Sequence, residues 1–65
     1  MFKLEFRTDN AAFDADESPG PEIVRILRDL AATLDALPLG KGHWADNVRD
    51  ANGNHVGAWS LTVEG

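Results

Sequence analysis

The chain contains no cysteine and no tyrosine, a single methionine, and only six basic residues in a length of 65. Without cysteine there is no disulfide framework and no thiolate metal site, so side-chain packing alone must hold the core together. That composition suits a reducing, cytoplasmic compartment. Long apolar runs are missing as well: none approaches the roughly 18 residues that span a bilayer. The N-terminal MFKLEFR alternates charged with apolar residues and does not form a signal-peptide core. Positive charge is scarce, with eleven acidic residues giving a formal net charge of -5 and a pI near 4.6. This disfavours direct binding to nucleic acid or to an anionic membrane and makes a positively charged protein the electrostatic complement. The length allows one domain, residues 1–65, burying only about 60% of the surface its unfolded form exposes. Little interior remains for an enclosed active site.

What is present is strongly patterned. Phe2, Leu4 and Phe6 alternate with Lys3, Glu5 and Arg7, the period of a strand with one apolar and one wet face. From Glu22 the period lengthens: Ile23, Ile26, Leu27, Leu30, Leu34 and Leu37 fall on one helical stripe. A helix is expected over roughly residues 20–37, opened by Pro19 and Pro21 and closed by Pro38, Gly40 and Gly42. The remainder reads as a hairpin around DANGNH, with Asn52-Gly53 as a two-residue type I′ turn. In that register Ala51 faces Asn54, Val48 faces Gly57, Asp46 faces Trp59 and Trp44 faces Leu61. Trp44, Val48, Trp59, Leu61 and Val63 then share the core face with Leu4 and Phe6. Val56, Ala58, Ser60 and Thr62 lie on the opposite face with Ala45, Asn47 and Arg49. The fold class expected is α+β: a single β-α-β-β domain whose three-stranded antiparallel sheet, order 1-3-2, carries one helix on one face. The competing order sets the first two strands side by side in a parallel crossover.

Several residues invite a chemical reading. TDNAAFDADESPGPE, residues 8–22, holds Asp9, Asp14, Asp16, Glu17 and Glu22 without one Lys or Arg. Helix-dipole stabilisation, roughly 0.3–1 kcal/mol per acidic group, accounts for Glu22 and for Glu17 less directly; it does not account for the other three. The spacing lacks the mid-loop Gly and terminal Glu of the familiar calcium loop, so no metal is expected. His43 and His55, twelve residues apart, match no zinc or nucleophile motif and are expected to face solvent or a turn edge. Asp46, on the core face, is expected at the rim of an edge strand. Glu22, Arg25 and Asp29 read as ordinary helix-surface pairs. No catalytic residue, cofactor or turnover is expected.

TDNAAF after the first strand, EIVRILRDLA in the helix, and D-x-NGN-x-VG-x-W in the hairpin resemble a group of small acidic proteins from phages and prophages. In size, acidity and plan the chain also resembles anti-CRISPR proteins that inhibit type I systems, type I-C among them. The resemblance implies a binding inhibitor without cofactor, acting in the cytoplasm of a bacterial host on the surveillance complex whose basic channel holds DNA. On charge alone, the surface offered to it is Asp9, Asp14, Asp16, Glu17 and Glu22, whose carboxylates can approximate the phosphate repeat of about 7 Å. The expected state is a monomer or weak homodimer. The alternative is a prophage interaction module that dimerises through a sheet edge or its mixed outer face, with its acidity serving solubility.

Overall fold

A computed structural model describes residues 1–13 and 18–64. Strand β1 (Phe2–Phe6) leads through a short 3-10 turn (Ala11–Phe13) to helix α1 (Gly20–Ala36), followed by β2 (Gly42–Arg49) and β3 (His55–Val63). The sheet is antiparallel in the order β1-β3-β2. This is the expected β-α-β-β architecture. The most apolar strand takes the centre because only there are both flanks covered by neighbours.

The periodicities place the core. Leu4 pairs with Trp59, and Phe2 and Trp44 flank Leu61, so alternation brings these side chains to one face. Ile26 and Leu30 descend on that face from α1, and Phe13, Ile26, Leu30, Val48, Val56 and Trp59 are buried together. Trp44, Leu61, Ile23 and Leu34 pack half-buried around them. Phe13 is completely enclosed and stacks on Phe6 with ring centroids 6.2 Å apart. The 3-10 turn thereby closes the core at the helix N-terminus, a contribution no periodicity announced. Leu27, expected in the core, is 45% exposed because it falls on the flank of the helical stripe.

The hairpin corrects the expected turn. Gly53 donates its N–H to the Asp50 carbonyl, and Asp50 N–H reaches the Asn54 carbonyl, both at 3.0 Å. Ala51, Asn52 and Gly53 therefore form a three-residue loop, with Gly53 at φ +83° in the left-handed position that this loop requires. Arg49 consequently pairs with His55, whereas Val48 pairs with Gly57, leaving Val56 as a β-bulge. The bulge turns Val56 inward, where it is buried, instead of onto the outer face. It also restores the expected partners beyond it: Val48 with Gly57, Asp46 with Trp59, Trp44 with Leu61.

Candidate functional site

Of the five acidic positions singled out above, Asp9 is exposed in the segment following β1. Asp14, Asp16 and Glu17 lie outside the described residues. Glu22 departs from the expectation of a surface charge. It sits in the first turn of α1, is buried, and spends its carboxylate inside the fold. Oε1 accepts from Arg25 Nε at 2.5 Å, and Oε2 accepts from Arg25 Nη2 at 3.1 Å and from the Ala51 N–H at 2.6 Å. The hydrogen bond from Arg25 holds the Glu22 carboxyl below its ordinary range against the opposing effect of burial, and Glu22 in turn raises Arg25. This carboxylate anchors the hairpin to the helix and is not available to a partner.

A second buried carboxylate was missed in the sequence. Asp50 opens the hairpin loop, and its Oδ1 accepts the N–H groups of Asn52 and Asn54, each at 2.9 Å. Oδ2 accepts the side-chain amides of Asn10 at 2.6 Å and Asn54 at 3.2 Å. Burial pushes the Asp50 carboxyl up, but the hydrogen bonds from Asn54, Asn10 and Asn52 outweigh it and hold the group below its ordinary range. Asn10 Oδ1 meanwhile accepts the Ala12 N–H and so starts the 3-10 turn. The signal was an Asp followed by Asn-Gly-Asn, since Asp at the first position of a turn bonds the backbone ahead of it.

Arg25 completes the network. Its guanidinium also reaches Asp29 at 2.6 Å and the Arg49 carbonyl at 3.2 Å. Next to it, α1 and β2 border an open groove of about 270 Å³ lined by Asp29, Thr33, Asp46, Asn47 and Trp59, among others. Asp46 is exposed at the rim, as its edge position required, and accepts the N–H of Asn47 at 2.7 Å. His43 and His55 are exposed, the former against Thr62 Oγ1 and the latter against the Gly57 carbonyl. Among the described residues no three of His, Asp or Glu converge as metal ligands. No helix among them is long and apolar enough to cross a membrane.

The residues behind the phage-protein resemblance thus have structural duties. Asn10 and Asp50 tie the first loop to the hairpin, Gly53 makes the turn, and Trp59 fills the core. Gly57 lies so close to β1 that a Cβ there would collide with the Glu5 carbonyl and stand 2.5 Å from Phe6 Cα. Compared with protein-family models, curated proteins and solved structures, the chain matches none.

Proposed function

We propose that this chain is a non-enzymatic, phage-derived inhibitor, resembling anti-CRISPR proteins, that occupies a basic DNA-binding channel of a type I surveillance complex with an acidic surface. The observation that carries the reading is uncompensated charge. Between Arg7 and Arg25 the sequence contains Asp9, Asp14, Asp16, Glu17 and Glu22 and no Lys or Arg. Of the two flanking arginines, Arg25 is paired with Glu22 and Asp29 and also donates to the Arg49 carbonyl, and Arg7 donates to the His55 carbonyl. With Glu22 committed to the fold, Asp9, Asp14, Asp16 and Glu17 are the groups to present to a cationic partner. Charge of one sign mainly accelerates encounter and excludes wrong partners, so its effect is distributed over the group and falls with salt.

The test uses a variant carrying Asp9→Asn, Asp14→Asn, Asp16→Asn and Glu17→Gln, with circular dichroism to verify its fold. Affinity for a purified type I complex is measured at two salt concentrations. The expected result is at least about tenfold weaker binding at low salt, with a shallower salt dependence for what remains. Unchanged affinity in the folded variant removes these carboxylates from the interface and leaves the stretch a solvated loop. A wild-type chain that binds the complex no better than unrelated basic proteins removes the target.

A further inference from the structure

We propose that the free edge of β1 is a self-association site, pairing antiparallel with β1 of a second copy about a two-fold axis at Leu4 to form a continuous sheet. The proposal does not depend on the inhibitory reading. Its first support is the hydrogen-bond parity of the ladder. Met1 and Thr62 exchange both backbone bonds, and the Arg7 N–H reaches the Val56 carbonyl. With Lys3 opposite Ser60 and Glu5 opposite Ala58, the odd residues of β1 face β3. The N–H and C=O groups of Phe2, Leu4 and Phe6 therefore point away from the sheet, and no partner for them exists among the described residues.

The side chains then select the register. Only even residues of β1 can exchange backbone bonds across this edge, so a two-fold centred on Leu4 pairs Phe2 with Phe6, Leu4 with Leu4, and Phe6 with Phe2 of the second copy. Lys3 of each chain then faces Glu5 of the other, in the closely spaced non-hydrogen-bonded positions where charge complementarity counts most. Centring one residue earlier opposes Lys3 to Lys3; centring one residue later opposes Glu5 to Glu5. A self-complementary patch is what an isologous interface requires. The strand and its flank also have a net positive local charge, with Lys3 and Arg7 against Glu5, so the overall charge of -5 is not concentrated at this junction.

The opposite edge is protected. On β2 the outward backbone groups belong to the odd residues, and the Asn47 N–H is already taken by the Asp46 carboxylate. Asp46 projects from the core face of that edge strand, a recognised device against edge pairing. The β1 side carries no such charge on its core face and adjoins apolar surface instead. Arg25, Asp29 and Thr33 line the groove beside β2, so at 100° per residue Leu27 lies on the flank of α1 toward β1, with Val24 beyond it on the outer side of the helix. Val24, Leu27 and Phe2 are 46%, 45% and 44% exposed. In the paired sheet Leu27 and Phe2 of both copies add exposed apolar surface on the helix-bearing side of the junction.

The interface is at the small end of stable contacts, so a dimer with a dissociation constant on the order of micromolar is expected. Sedimentation equilibrium over a concentration series tests it with Lys3→Glu, Glu5→Lys and the double variant carrying both. Both positions are exposed, and circular dichroism checks each fold. Either single substitution should weaken self-association by about tenfold or more, because two-fold symmetry creates the like-charge contact twice. The double variant should regain it, and an equimolar mixture of the two single variants should form heterodimers. A wild-type chain monomeric up to millimolar concentration overturns the proposal. So does a dimer indifferent to the single substitutions, or a loss that the double variant and the mixture both fail to rescue.

Discussion

Two glycines differ in what they need from glycine, and the difference is measurable. Gly53 stands at φ +83° with open space where a Cβ would point, so Gly53→Ala should cost only the left-handed backbone penalty, about 1–2 kcal/mol. At Gly57 the obstacle is the backbone of β1 itself, which cannot step aside as a flexible side chain can. Gly57→Ala should cost about 3 kcal/mol or more, enough to unfold much of a domain this small. Urea titrations followed by tryptophan fluorescence separate the two, and equal losses would contradict the close approach of β3 to β1. Both roles were legible: Asn-Gly marks a turn, and a lone glycine within a strand marks a close neighbour. The turn bonds of Asp50 to Asn52 and Asn54 had a local signal as well, but its bond to Asn10 had none, because that partner is forty residues earlier in the chain.

At the scale of elements, the strand pairing was legible although the turn was not. A two-residue turn and the observed three-residue loop differ by one residue in register, and the bulge at Val56 cancels the difference. The pattern of Trp44, Val48, Trp59 and Leu61 demanded a common buried face, and a one-residue slip would have put Trp44 and Val48 on the opposite face from Trp59 and Leu61. Burial therefore determined the ladder, and the loop adjusted. The helix was legible to within a residue at its C-terminus, yet its stripe did not say where burial stops. Ile26 and Leu30 are buried, and Leu27 is not. Leu30→Ala should cost about 2–5 kcal/mol and Trp59→Ala about 3–5 kcal/mol, whereas Leu27→Ala, measured at a concentration where the chain is monomeric, should cost less than about 1 kcal/mol. Thermal melts by circular dichroism rank the three. A large loss at Leu27 in the monomer would place the helix in a different rotation over the sheet. Phe13 was illegible because a single aromatic amid acidic residues has no period, and only the folded loop brings it onto Phe6.

For the whole molecule, carboxylates act on stability in opposite directions. A net charge of -5 at neutral pH makes the folded chain repel itself, and acidification relieves that repulsion. Glu22 and Asp50 work the other way. Both have carboxyls held below their ordinary ranges in the folded state, so the stability they contribute is fully present above their unfolded values, about 4.3 and 3.9. It is lost as pH falls through the lower folded values. From pH 7 to about 5 ordinary carboxylates stay largely ionised, and the melting temperature should hold nearly constant. Below about pH 4 the buried pair dominates, since protonating Glu22 weakens its attachment to Arg25, and protonating Asp50 replaces an acceptor with a donor amid groups that already donate to it. The melting temperature should then fall. A variant carrying Glu22→Gln and Asp50→Asn should be less stable at pH 7 but lose little more on acidification, giving a flatter profile. Melting temperatures at pH 7, 5 and 3 for both proteins decide this: parallel profiles would mean that other carboxylates control acid unfolding and that the tether from helix to hairpin contributes no pH-dependent stability.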